Sequence, residues 1–359
     1  MREAKTPAEL GFRMPPEWFP QEAVWMSWVT DDPRLWGGKK DDSIRRKLAE
    51  VAAAITRWAE VRINAAEERH TLIQQTLQEA GADLLQVGLY DHPNDDVWCR
   101  DHGPLFVKHP QSGEVAVTDW GFNGWGEAFA PWDQDNAIPG KIAESLSMRR
   151  FGGGMVLEGG AIEINGQGQL LTTESVLLNA NRNPQASQSE VEQRLRDGLG
   201  ATEIFWLGGG IEGDDTGGHV DGVTRFVSDS VILVSEEGNR ASPNHSVLNE
   251  ARQKLETFRT AEERPFDIVA MPMPAVCEVP GWRLPVLPVS YVNYLLVNGG
   301  VLVPTFRQPR RDDQALGILR DLFPGREMVP IDCLELVEEG GALHCLTQQQ
   351  PLAEGMGKR

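Results

Sequence analysis

The chain has 359 residues, with 40% hydrophobic and 24% charged residues, which is the composition of a folded protein with a sizeable core. Its formal charge of −19, from 53 acidic against 34 basic residues, speaks against nucleic acid and anionic membranes as partners and for cationic ligands. No apolar run reaches the ~18 residues of a membrane span, and Met1–Pro7 has no apolar signal core, so a cytoplasmic location is expected.

In chain order, Ile44, Leu48, Val51, Ile55 and Trp58 recur at helical spacing and precede a strand-like run from Val61 to Ala65. The same step follows from Leu72, Ile73 and Leu77 to a strand over 84–89. Next come Val191, Leu195 and Leu199, closed by Gly200, leading to 204–207. Leu248, Ala251, Leu255 and Phe258 lead to a strand over 266–271. Ala315, Leu316, Leu319 and Phe323 lead to one over 328–331. Helices and strands therefore alternate along the chain.

A second pattern lies between these steps. Polar turns, most of them rich in glycine, feed strands around Asp101, Glu158, His219, Asn293 and Cys345, anchors that lie 57, 61, 74 and 52 residues apart. A loose period of roughly 60 suggests five supersecondary units, whose turns would meet if the units ring an axis. A single domain over 1–359 is expected.

Four cysteines, Cys99, Cys277, Cys333 and Cys345, are too few and too scattered for a disulfide scaffold or a metal clamp. Cys345 follows Gly340-Gly341-Ala342-Leu343-His344, a turn that can present a thiol. His344 is its neighbour, but strand neighbours point to opposite faces, so a proton shuttle must come from elsewhere. His219 is the candidate: in Gly217-Gly218-His219-Val220-Asp221 an extended backbone would put imidazole and Asp221 on one face. His-x-Asp also serves metals, but no further ligands lie at suitable spacing, so no metal is expected.

Glu158 and Asp101 also sit at strand mouths. Several carboxylates beside a thiol disfavour the thiolate and repel anions, so such a site makes sense only with a cation bound. A guanidinium fits, because its planar fork of donors matches carboxylates and would hold its carbon against the sulfur. His219 would protonate departing ammonia and then activate water. Thiol, imidazole and carboxylates suffice for this chemistry, so no cofactor is implied.

Together these motifs resemble the agmatine deiminase and bacterial-type peptidylarginine deiminase family of guanidino-group-modifying enzymes. The matching blocks are Thr6–Pro15, Trp98-Cys99-Arg100-Asp101-His102-Gly103-Pro104, Leu157–Gly160 through Leu178–Pro184, Gly213–Asp221, and His344–Gln349. The resemblance implies a five-bladed α/β propeller (pentein) with pseudo-fivefold repeats around a central active site. It implies Cys345 as nucleophile, His219 as acid and base, Asp101 and Asp221 as guanidinium-binding carboxylates, and Glu158 as the acid that holds guanidinium and orients His219. Trp98 would line the substrate site, and Asp214 or Asp215 would meet the amine of agmatine. The chain departs from the family at Ala342, where Asn is usual, and carries Cys99 inside the Trp98–Pro104 block.

The expected reaction is agmatine to N-carbamoylputrescine and ammonia, a step of polyamine synthesis. Alternatives are peptidylarginine deimination, another guanidine hydrolase, an amidinotransferase, or a non-catalytic propeller used for binding. A symmetric homodimer is the base-rate expectation.

Overall fold

A computed structural model describes residues 5–30 and 41–353. Met1–Ala4, the start of the stretch read for a leader, lie outside the described residues. Among the described residues, sixteen strands form five small sheets. The first is made of β1 (Gln21–Ser27), β2 (Glu60–Ala65), β3 (Val87–Asp91) and the C-terminal β16 (Thr347–Pro351). The others are β4 (Leu105–Lys108), β5 (Val115–Gly121) and β6 (Arg150–Val156); β7 (Ile162–Ile164), β8 (Gln169–Thr173) and β9 (Glu203–Leu207); β10 (Thr224–Phe226), β11 (Val231–Glu236) and β12 (Asp267–Pro272); and β13 (Leu295–Val297), β14 (Gly300–Thr305) and β15 (Glu327–Asp332).

One connectivity recurs in all five. An inner strand pairs antiparallel with a middle strand, which pairs parallel with an outer one. A parallel pair needs a crossover, and a helix lies between middle and outer strand each time: Asp41–Ile55, Ile138–Ser145, Gln188–Leu199, Pro243–Thr257 and Pro309–Leu322. In the first sheet the inner strand is β16, so the last strand of the chain pairs with β1, Trp25 opposite Gln348.

The helices form where the apolar period is 3.6 and stop where glycine or a loop intervenes. Gln188–Leu199 starts with a capping box, Ser187 receiving the Glu190 N–H while the Glu190 carboxylate accepts the Ser187 N–H. It ends at left-handed Gly200. Its Val191, Leu195 and Leu199 are buried with Ile162 and Leu170 of the sheet it covers. Two kinds of expectation shift: Trp58, Phe258 and Phe323 lie past helices that end at Ile55, Thr257 and Leu322, and 84–86 form a 3-10 turn, so β3 starts only at Val87. Asp83 decides the second, its carboxylate accepting the Leu85 N–H and closing the turn.

Four of the five inner strands carry buried polar side chains, β13 being wholly apolar. Thr347, Gln348 and Gln350 are at most 1% exposed, with Gln350 Oε1 accepting from Trp25 Nε1 at 2.9 Å and Arg62 at 2.9 Å. Such a strand has no apolar alternation, because both faces meet other parts of the chain.

Candidate active site

The five anchoring turns precede the five inner strands. Cys99–His102 is a short helix ahead of β4, Gly159–Ala161 and Val220–Gly222 are 3-10 turns ahead of β7 and β10, and the 291–294 and 342–346 turns precede β13 and β16. Because each inner strand begins on the same side of its sheet, these turns bring their side chains into one cluster.

Asp101 is its hub. One oxygen accepts the Gly160 N–H at 3.0 Å, the other accepts Trp125 Nε1 at 2.9 Å, and His219 Nδ1 lies 3.6 Å away. Gly160 is required by crowding: a Cβ there would stand 2.5 Å from His219 Nδ1 and 2.8 Å from Asp101 Oδ1. Burial lifts the Asp101 carboxyl to about 6, with the Asp221 and Glu158 charges adding and the His219 charge and the Trp125 hydrogen bond opposing.

His219 is positioned by its backbone, whose N–H donates to Asp214 Oδ2 at 3.0 Å after left-handed Gly217 and Gly218. Both its ring nitrogens are buried with no hydrogen-bond partner. Burial opposes the imidazolium, yet the charges of Asp101, Glu158, Asp221 and Asp214 prevail and raise its pKa. A protonated His219 can give a proton to a leaving amine.

Glu158 is fully buried. Its Oε1 accepts Arg182 Nε at 2.8 Å, while Oε2 has no partner. Arg182 also donates to Asn181 Oδ1 and the Thr216 carbonyl, tying Glu158 to the loop that leads into His219. Sequence reasoning assigned Arg182 no role; its signal was its place in Leu178–Pro184.

Cys345 Sγ lies 3.8 Å from Asp221 Oδ2 and receives Asn293 Nδ2 at 3.2 Å. Asn293 Oδ1 also accepts the N–H of His344 at 3.1 Å. Thus Asn293, an anchor with no chemical role in the sequence reading, braces the Cys345 turn that carries Ala342. Burial raises the thiol well above its ordinary value, Asp221 and Asp101 add to this, and contacts from Ala342 and Asn293 partly offset it. Asp221 is held below the usual carboxylate range: burial opposes, but the hydrogen bond and charge of His344, with His219 and Arg225, prevail. The resting thiol is therefore protonated beside an ionised carboxylate. Cys99 and Cys333 are fully buried with thiols raised to about 12 or beyond, and play no part in the cleft.

Above Cys345 opens a cleft of about 630 Å³. Trp98, Asp101, Trp125 and Phe129 line it together with Asp96, Asp215, Thr216, Arg283 and the 339–341 turn, and the partly exposed Arg283–Asp215 pair marks its mouth. Gly341 lies flat on Trp98, where a Cβ would meet the ring at 2.4 Å. Asp214 faces inward, receiving the N–H groups of Thr216 and His219, whereas Asp215 faces the mouth and pairs with Arg283. Arg283 also donates to the Glu339 carbonyl at 3.0 Å and lies 5.0 Å from the Phe129 ring centre. Burial lifts Asp96 to about 7, Glu339 and Asp215 adding and the Val97 N–H and Arg283 opposing. Asp215 and Glu339 face the one guanidinium, and a cation entering beside Asp96 would favour its ionised form, so the mouth suits a cation.

Among the described residues, Glu17, Glu163 and His344 form the one trio close enough to ligate a metal, their donor atoms within 4.8 Å of one another. The Arg225 guanidinium, however, pairs with both carboxylates, and His344 Nε2 lies 3.1 Å from Glu17 Oε2. The trio's atoms are thus already engaged with partners inside the chain.

A thiol on a turn, facing carboxylates and a buried imidazole where five repeated sheet units meet, fits the pattern of enzymes that modify guanidinium groups, and the chain belongs to the Porphyromonas-type peptidyl-arginine deiminase family, whose pattern matches residues 13–351. It is 38% identical over 368 residues to an agmatine deiminase of Pseudomonas putida, spanning 96% of this chain and 97% of that one. With an agmatine deiminase of Pseudomonas aeruginosa it shares 37% identity over 368 residues, with the same coverage. Its fold matches the solved agmatine deiminase of Enterococcus faecalis with a TM-score of 0.89 at 32% identity, covering 97% of this chain and 98% of that one. No described helix is long and apolar enough to cross a membrane.

Proposed function

We propose that this protein is a hydrolase of linear amidine C–N bonds that converts agmatine to N-carbamoylputrescine and ammonia through a covalent thiouronium on Cys345. The observation that carries the reading is Cys345 Sγ at the floor of the cleft, 3.8 Å from Asp221, with the Asp101–His219 pair at 3.6 Å beside it. The guanidinium lies between Asp101 and Asp221, with Glu158 Oε2 as a further acceptor, and its positive charge favours the thiolate where the carboxylates alone suppress it.

As the cation binds, the thiol S–H bond breaks and its proton leaves to water in the cleft; the sulfur then attacks the guanidinium carbon and forms a C–S bond. His219 gives its proton to one nitrogen, the C–N bond breaks, and ammonia leaves. Water then attacks the thiouronium carbon while His219 takes its proton. The C–S bond breaks, releasing the ureido product and returning the sulfur to Cys345.

The tail assignment rests on the mouth. Asp215, Asp96 and Glu339 suit an ammonium, and Asp215 supports the tail role better than Asp214, whose oxygens are spent inside the loop. The link from Arg283 to Asp215 and Glu339 narrows the entrance, which favours a small molecule over a peptidyl arginine. The five repeated sheets, with β16 closing onto β1, support a single-domain five-bladed propeller around this site. A cytoplasmic enzyme, working as a homodimer, completes the reading.

Purified protein incubated with agmatine, arginine and an arginine peptide, with ammonia and ureido product measured, is the test. Turnover of agmatine above the others is expected, and turnover of the peptide alone overturns the substrate. Cys345→Ser should abolish turnover and the covalent adduct; full activity in that variant overturns the nucleophile.

A further inference from the structure

His344 adjoins the nucleophile in sequence yet points away from the cleft, 1% exposed. Its Nδ1 lies 2.7 Å from Asp221 Oδ2 and its Nε2 3.1 Å from Glu17 Oε2. Ionised carboxylates only accept, so a ring that satisfies both must donate from both nitrogens. Glu17 is kept ionised from the other side: burial opposes, but Arg225, His344 and Arg100 hold its carboxyl well below the usual range. Its second oxygen accepts the Leu296 N–H at 2.7 Å.

The result is a buried line of alternating charge, Asp221, His344, Glu17, Arg225 and Glu163, assembled from the N-terminal segment, β7, the turn before β10, β10 itself and the turn before β16. The end that matters is Asp221. The oxygen held by His344 is the one that stands 3.8 Å from Cys345 Sγ. Asp221 is buried, and Asp101 adds a like charge to the same site. The opposing charges that face it are His344, His219 and Arg225. Of these His344 alone touches the carboxylate, so it sets both where the oxygen sits and how firmly the negative charge stays on it. His344 is itself faced by Glu17, Asp221 and Arg225, by Glu163 across Arg225, and by Arg100, whose Nε donates to the His344 carbonyl at 3.2 Å.

We propose that His344, clamped by Glu17, is a positioning residue that holds the Asp221 carboxylate as an aimed anion for the guanidinium cation. The inference rests on the guanidinium reading above and adds two residues, His344 and Glu17, that never touch the substrate. A merely structural role for the line would let a neutral replacement that folds behave as the native protein does.

The test uses His344→Gln, which keeps an amide donor for Asp221 but removes the charge, and Glu17→Gln, which loosens the clamp one residue further back. KM, kcat and their pH dependence are measured with agmatine. In parallel, the rate at which a cationic α-haloamidine alkylates Cys345 is followed against pH. His344→Gln should raise KM by about 10-fold with a smaller change in kcat and slow the cationic alkylation by a similar factor; the native acid limb belongs to Asp101, near 6, and the variant should add a second loss on its acid side, from an Asp221 that protonates more readily once stripped of its cation. Glu17→Gln should act in the same direction more weakly, and should add little in the His344→Gln background because it works through His344. Unchanged profiles in a folded His344→Gln protein overturn the proposal, as do fully additive effects. If His344→Gln fails to fold, the Glu17→Gln profile decides alone. If the native protein leaves agmatine intact, the substrate reading fails, while the alkylation profiles still decide the role of His344.

Discussion

Replacing Gly160 by alanine isolates the geometry of the Asp101–His219 pair from the stability of the fold. Gly160 lies outside the left-handed region, so alanine brings no backbone strain, and its N–H can still donate to Asp101. The added methyl, however, would stand 2.5 Å from His219 Nδ1, about 0.9 Å short of the 3.4 Å where ordinary contact begins, and 2.8 Å from Asp101 Oδ1. The imidazole must retreat by about 0.9 Å and the carboxylate by about 0.6 Å. A displacement of that size in a catalytic constellation costs ~10²-fold in rate, about 2.7 kcal/mol of transition-state stabilisation. Steady-state kinetics with agmatine should show the loss in kcat/KM. Thermal melting should stay close to native, and alkylation of Cys345 by neutral iodoacetamide, on which Asp101 bears only through its charge, should change far less than kcat/KM. A Gly160→Ala protein within about threefold of native kcat/KM would refute the placement of His219 and Asp101 at the reacting centre.

Further outcomes follow from the charges. With its thiol raised by burial, Asp221 and Asp101, Cys345 should react slowly with neutral iodoacetamide at pH 7 and faster only in alkali, whereas a cationic α-haloamidine should react at least ~10-fold faster at pH 7. The cationic reagent should lose this advantage as pH falls through about 6, where Asp101 gains its proton and no longer attracts the cation; mass spectrometry of the labelled protein reads both. Arg182→Met removes the partner of Glu158 and leaves a buried carboxylate unpaired, at a cost of roughly 3–5 kcal/mol in denaturant unfolding. Arg283→Gln frees Asp215 and takes a positive charge from the mouth, so KM for agmatine should fall relative to KM for a butylguanidine of neutral tail, by ~5-fold or more at low salt. An unchanged ratio would remove the mouth from tail recognition.

Much of this was legible in the chain itself. Apolar spacing located four of the five crossover helices, because each buries one stripe against its sheet and exposes the other. The helix Ile138–Ser145 escaped, being short and preceded by Ala137, which offers no side-chain cap. The polar turns announced the five anchors, and the family motifs joined them to a chemistry.

What only the tertiary structure decided concerns residues whose significance lies in a partner remote in sequence. Glu17 is an acid near the start of the chain until folding sets it against His344, 327 positions later. Arg182 is one more surface-type residue until it enters the interior on Glu158. Asp214 and Asp215 are equivalent in the sequence, and the loop turns one toward the His219 backbone and the other toward the cleft. The strand Thr347–Pro351 has no apolar period at all, since its glutamines are satisfied or enclosed by side chains from β1, β2 and the Cys99–His102 turn. Sequence periodicity records which side of an element meets the core. Charge pairing across the centre leaves no such record, because each partner is placed by a different part of the fold.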